Sequence, residues 1–376
     1  MSQPQRTKTG APRQTARSGC PLAGPAMFVG LMLVLCTMPG CEKIPTFGEL
    51  IGQDQAEESV EGLQTKHEPG PSVPLTTREE PASTGPDPAI TSFRGTAPNM
   101  RTDSQLVALG SLDSGLERME DIDLSSSTVT AVGLAELKKF PAVRKLTLSM
   151  MMQMTPEMIE EIGEIKTLEV LELTGSPLSG ISLEPLSSLP ALVEINLSNT
   201  GITDEVLEHF KPIETLEVLR LDGNPINGAG FRYFERRGFP NRIRVVDVSN
   251  TSFSQQGFPF LRGWRTLEEF HAGQSGVFDL CLASLGTCKE LKVLTLGYNP
   301  QITDEGVKRL ASLRKLERLD LHNCSSVSDQ GMYFIRNNKG LQAVDAEGTS
   351  VSRNGALGLK KFAPEARIAF RGGVVQ

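Results

Sequence analysis

Ten copies of one apolar triplet set the terms for this chain. Apolar residues at offsets 0, +3 and +5 occur as Met119/Ile122/Leu124, Val143/Leu146/Leu148, Leu168/Leu171/Leu173, Leu192/Ile195/Leu197 and Leu216/Leu219/Leu221. They continue as Ile243/Val246/Val248, Leu267/Phe270/Ala272, Leu291/Leu294/Leu296, Leu316/Leu319/Leu321 and Leu341/Val344/Ala346. The starts lie 24 or 25 residues apart, with one interval of 27 before Ile243. A unit this short cannot bury its own apolar face, so the copies must stack into one continuous core.

The rest of each unit follows from the triplet. Its alternation predicts a short strand with every second side chain in the core. Three residues beyond the last apolar position stands a small hydrogen-bonding side chain: Ser127, Ser176, Thr200, Asn224, Thr251, Ser275, Asn299, Cys324 and Thr349, with Met151 in the second unit. There the backbone leaves the sheet and its buried amides and carbonyls need partners. Helix starts follow at Thr155-Pro156-Glu157, Thr203-Asp204-Glu205 and Thr303-Asp304-Glu305 as N-cap hydroxyls ahead of acids or Pro, and Ser254, Ser328 and Ser352 occupy the equivalent cap. Apolar residues at −9, −6 and −3 from the next triplet, such as Val307/Leu310/Leu313 and Phe258/Leu261/Trp264, predict a helical face. Pro185 predicts a shortened segment in the third unit.

The triplet resembles the L-x-x-L-x-L signature of leucine-rich repeats, whose period is roughly 20–29 residues. Ile302-Thr303-Asp304-Glu305-Gly306-Val307, with looser copies at Ile202 and Val327, resembles the ribonuclease-inhibitor-like and cysteine-containing branch. The resemblance implies an α/β fold: a right-handed solenoid, horseshoe or arc, with parallel strands on the concave side and helices on the convex side. It also implies recognition of other molecules along the concave face, and it brings no catalytic residues.

The chain before the repeats has a different character. Residues 1–40 read as a signal peptide, with a basic stretch and then an apolar run from Ala26 to Met38. That run falls short of the roughly twenty residues that span a bilayer. Met38-Pro39-Gly40-Cys41 resembles a bacterial lipobox, which implies lipidation at Cys41 and a membrane-anchored protein facing the periplasm or the cell exterior. Residues 41–102, rich in Pro, Glu, Ser and Thr, read as a disordered tether. Its r.m.s. reach is about 40 Å. An N-terminal cap is expected over 103–118, the repeats over 119–364, and a capping strand with Ile368 and Phe370 over 365–376.

Charge and side-chain inventory narrow the function. Without the first forty residues the chain holds 34 basic against 45 acidic residues, which argues against nucleic acid as a partner. Cys281, Cys288 and Cys324 lack metal-site spacing, and one bridge, Cys281–Cys288 or Cys288–Cys324, stays open as an alternative in an oxidising compartment. No nucleophile, base, metal or cofactor constellation is legible, so no enzyme and no cofactor are expected.

The +1 column along the strands, Glu120, Arg144, Glu169, Val193, Glu217, Arg244, Glu268, Lys292, Glu317 and Gln342, alternates in sign over most of its length and predicts a charge ladder across the sheet. The +4 column does not alternate and leans acidic. Toward the C-terminal half, His271, Tyr298, Arg318, Asp320 and His322 gather on outward strand positions, the candidate contact residues. The expected function is a non-catalytic scaffold, monomeric and tethered to a membrane through its lipid anchor, with a protein, peptide or glycan ligand on the concave face. The alternative is a substrate-recognition or regulatory subunit of an enzyme complex.

Overall fold

The computed structural model describes residues 87–234, 242–253 and 255–376. The signal peptide, Cys41, the tether as far as residue 86, and Ser254 lie outside the described residues.

One twelve-stranded sheet organises the molecule, its strands ordered as they occur in the chain. They are β1 (Asp121–Asp123), β2 (Lys145–Thr147), β3 (Val170–Glu172), β4 (Glu194–Asn196), β5 (Val218–Arg220), β6 (Val245–Asp247), β7 (Glu269–His271), β8 (Val293–Thr295), β9 (Arg318–Asp320), β10 (Ala343–Ala346), β11 (Arg367–Phe370) and β12 (Gly373–Val375). All neighbours through β11 pair in parallel, and β12 folds back antiparallel on β11. Register follows the triplets: the central core residue of each strand faces its counterpart in the next, as Leu219 faces Val246 and Leu294 faces Leu319. All three residues of most triplets are fully buried, Leu294 with no exposure at all. This architecture is a leucine-rich-repeat α/β solenoid.

The segments before β1 and between the strands carry the second layer. They include α1 (Pro88–Gly95), α2 (Asp103–Gly110), α3 (Ala131–Leu134), α4 (Pro156–Gly163), α5 (Asp279–Leu285), α6 (Asp304–Arg309), α7 (Asp329–Ile335) and α8 (Arg353–Lys360). Hydroxyl caps form where expected: the side chains of Thr155, Thr303, Ser328 and Ser352 accept a backbone N–H of the first turn. Thr203 does not; its hydroxyl donates to Glu205 instead. The middle units form 3-10 turns over Glu184–Ser188, Asp204–Phe210, Ala229–Phe234 and Phe258–Leu261. Apolar spacing of three throughout suits a helix of 3.0 residues per turn as well as one of 3.6, and a short connection favours the tighter form.

Order begins before the cap expected from residue 103. Asp87 caps α1 by accepting from Ala89 N–H at 2.8 Å, and α1 buries Ile90 and Phe93 in the core. Arg101 lies over the Phe93 ring at 4.2 Å and donates to the carbonyl of Asp123 on β1, which ties this segment to the edge of the sheet. The Pro and Ser content of this stretch hid two core side chains. All three described cysteines are buried and free.

Candidate interaction face

The site is built from the positions each three-residue strand leaves outside the core. Below it runs a hydrogen-bonded spine. Asn224 Nδ2 donates to the carbonyls of Leu197 and Leu221 at 2.7 and 2.9 Å, while its Oδ1 accepts from Thr200 and Gly201 N–H. Asn299 repeats this with Ala272, Leu296, Ser275 and Val277. Ser176, Ser275 and Cys324 each donate to a carbonyl one repeat back. Burial pushes the Cys324 thiol up to about 12 and that of Cys288 up to about 11, so both serve as inert packing and donor groups.

The +1 column forms the charge ladder across the strands. Arg144 pairs with Glu169, Arg244 bridges Glu217 (3.2 Å) and Glu268 (3.0 Å), and Lys292 reaches Glu268 at 2.7 Å. Held between Arg244 and Lys292, the Glu268 carboxyl falls to about 2. These charges answer one another across the sheet.

Two further outward rows follow from the register. The +2 row reads Asp121, Lys145, Val170, Glu194, Val218, Val245, Glu269, Val293, Arg318, Ala343; the +4 row reads Asp123, Thr147, Glu172, Asn196, Arg220, Asp247, His271, Thr295, Asp320, Asp345. Together they hold eight carboxylates and three Lys or Arg side chains. In the +4 row, Asp123, Asn196, Asp247, Asp320 and Asp345 each accept the backbone N–H two residues on, at 2.8–3.0 Å. That contact turns the chain at the strand end, a role that Asn and Asp side chains suit.

The five residues expected as contacts are thereby sorted. Tyr298 and His322 meet, ring centroids 5.2 Å apart. Asp320 accepts from His322 N–H at 2.8 Å, and His322 Nδ1 lies 3.8 Å from Asp345 Oδ1. His271 Nδ1 stands 2.8 Å from Thr295 Oγ1, one strand from Asp320 in the same row, and its Nε2 lies 3.6 Å from Glu269. Asp320 is the most enclosed: burial, then the neighbouring Asp345, push its carboxyl up to about 6. Arg318 belongs to the +2 row and acts on Glu269 only through space.

Tyr298 stands apart. It is 54% exposed and occupies the left-handed region at φ 60°. The same position, two residues past each triplet, is left-handed in all ten repeats and holds Gly175, Gly223 and Gly348, Asn199, Asn250 and Asn323, Ser126 and Gln274 elsewhere. Only Tyr298 and Met150 place a large apolar side chain there, a backbone state costing such residues roughly 1–2 kcal/mol. Met150 folds its sulfur over Gly175, whereas the Tyr298 ring lies beside the His322 ring. Absent from the sequence reading is the +2 row, whose Val170, Val218, Val245 and Val293 are half-buried on the outer face.

Among the described residues no group of three or more His, Cys, Asp or Glu side chains could hold a metal ion. None of their helices is long and apolar enough to cross a membrane.

Fold and columns together define a leucine-rich-repeat solenoid. The family model described as Leucine Rich repeat matches residues 287–311. Among solved structures, the chain is similar to an internalin of Listeria monocytogenes (14% identity, TM-score 0.48, covering 77% of this chain and 98% of that one). It is also similar to a leucine-rich-repeat protein of Leptospira interrogans (15%, TM-score 0.47, 67% and 72%) and to internalin C2 of Listeria monocytogenes (19%, TM-score 0.37, 63% and 83%). No curated protein matches the chain.

Proposed function

We propose that this chain is a non-catalytic interaction scaffold of the ribonuclease-inhibitor-like type, exported, lipidated at Cys41 and held at a membrane surface, with a protein partner on the strand face. The observation that carries the recognition face is Tyr298: a large, exposed aromatic kept in a left-handed backbone state beside His322. An outlier of this kind is retained where something is gained from it, and covering by a partner is the gain available here. The charge ladder next to it is internally satisfied, so the ladder holds register and the +2 and +4 rows are free to read the partner.

With the partner in hand, Tyr298→Ala and Arg318→Ala weaken binding by about 1–3 kcal/mol each without loss of stability. Lys308→Glu on α6 leaves it unchanged. Loss of binding in Lys308→Glu with normal binding in the other two would place recognition on the helix face. For the anchor, Cys41→Ser releases the protein from the membrane fraction or leaves an uncleaved precursor, and unchanged fractionation and lipid labelling would remove the lipoprotein reading.

A further inference from the structure

The middle of the sheet carries an apolar pair inside a charged frame. Val218 on β5 and Val245 on β6 are register partners. Glu194 on β4 faces Val218, and Glu269 on β7 faces Val245. All four are half-buried on the outer face. The row therefore reads carboxylate, valine, valine, carboxylate across about 14 Å at the usual strand spacing.

We infer that this row is the centre of a docking surface for a protein partner presenting aliphatic side chains flanked by lysine or arginine. The inference rests on the strand-face reading above and supplies the chemistry of its partner. An apolar centre within a polar rim is the anatomy of a protein interface. The rim selects the sign. Eight carboxylates against three cations occupy the two outward rows, and the imbalance is local as well as general. Glu194 already holds Arg220 at 3.1 Å, so that flank is answered. On the other flank Glu269 lies 3.6 Å from His271, with Arg318 and Arg220 acting on it only through space, and Asp247 in the adjacent row belongs to no ion pair among the described residues. Burial first, and after it the proximity of Asp247, raise the nearby Asp222 carboxyl, against the opposing pull of Ser198 and Arg220. A basic side chain is therefore attracted to the Glu269–Asp247 flank, while phosphate-rich partners are repelled.

The test uses the full chain and two synthetic peptides of about twelve residues, one alternating lysine with valine and one alternating glutamate with valine. Binding is read by fluorescence anisotropy at low and high salt. The lysine–valine peptide binds, weakens with salt, and loses about tenfold in affinity or more in Val245→Asp and Glu269→Lys. Glu269→Gln loses less, and Lys308→Glu is unchanged. Melting curves confirm that each variant is folded. Equal binding of the glutamate–valine peptide, still lost in Val245→Asp, would overturn the partner chemistry and leave the strand face standing. Loss in Lys308→Glu with normal binding in Val245→Asp would overturn the strand-face reading itself. No binding of either peptide overturns the inference.

Discussion

Asp304, at the head of α6, accepts both the backbone N–H of Ser328 at 2.8 Å and its hydroxyl at 2.6 Å, one repeat further on at the head of α7. Asp103 holds Thr130, Asp279 holds Thr303 and Asp329 holds Ser352 in the same way, and Asp204 takes the N–H groups of Asn227 and Gly230. A glycine sits where each carboxylate arrives: a Cβ on Gly331 would stand 2.7 Å from Asp304 Oδ1. The Thr/Ser-Asp-x-Gly motif is thus a device spanning two repeats. Its hydroxyl caps its own helix, its carboxylate holds the next, and its glycine admits the carboxylate from behind. Arg353 stands in the Asp position of α8, where the repeats end.

Asp304→Ala leaves two donors of the Ser328 cap unmet, and unfolding free energy falls by roughly 1–3 kcal/mol. Arg353→Asp, with β11 and no helix after it among the described residues, changes it by less than about 0.5 kcal/mol. Urea titration of the two variants separates the cases; equal midpoints would mean that the clamp carries no stability.

Leu294 tests the register. It is fully buried between Phe270 and Leu319, its neighbours in the sheet. Leu294→Ala costs about 2–5 kcal/mol. Leu294→Asp abolishes folding of the adjoining repeats, and an unaltered melting curve for it would contradict the assigned register.

The triplets were fully legible because the core demands one apolar residue at each of three offsets, and nothing else competes for those positions. The ladder at Arg244 was legible for the same reason: parallel register places like offsets side by side. What escaped was the partner that each polar side chain takes, which no apolar period encodes. Asp304 read as a first-turn acid, yet its carboxylate serves Ser328. Asp320 read as a contact residue, yet its Oδ1 turns its own chain. The spacing of Gly175, Gly223 and Gly348 one repeat after Met150, Asn199 and Asn323 was a visible signal for the left-handed column, because each glycine makes room for the side chain before it. Phe93 lay hidden because a single helix among prolines shows no period.

Asn338 departs from its column. Leu313, Leu189, Ile165 and Phe140 hold the equivalent place, three residues before the next triplet. Asn338 is fully buried, donates through Nδ2 to the Leu310 carbonyl at 3.2 Å and leaves Oδ1 without a partner. Leucine has as many side-chain heavy atoms, and removing an unsatisfied buried acceptor outweighs one lost neutral hydrogen bond. Asn338→Leu raises stability by about 1 kcal/mol in thermal unfolding. A fall would show that the acceptor is satisfied in solution.

Asp320 makes stability depend on pH. Its folded carboxyl is pushed up to about 6 from an ordinary 3.8, so between those values the folded state binds more protons than the unfolded one. Stability therefore declines as pH rises through that window and stays lowered above it. Asn at this position keeps the turn, as Asn196 does in the fourth repeat. Asp320→Asn stabilises by roughly 1–3 kcal/mol at pH 7.5 and has little effect near pH 4. An equal effect at both pH values would assign it to something other than ionisation.

Recognition along the strand face is tested most directly by where a partner touches. A photo-reactive amino acid is placed singly at Val245, Tyr298 or Lys308 in the otherwise intact chain and irradiated in the producing cell. One crosslinked species common to Val245 and Tyr298, and absent from Lys308, is the predicted result. The same species from Lys308 on the helix face, with none from the two strand positions, would contradict it.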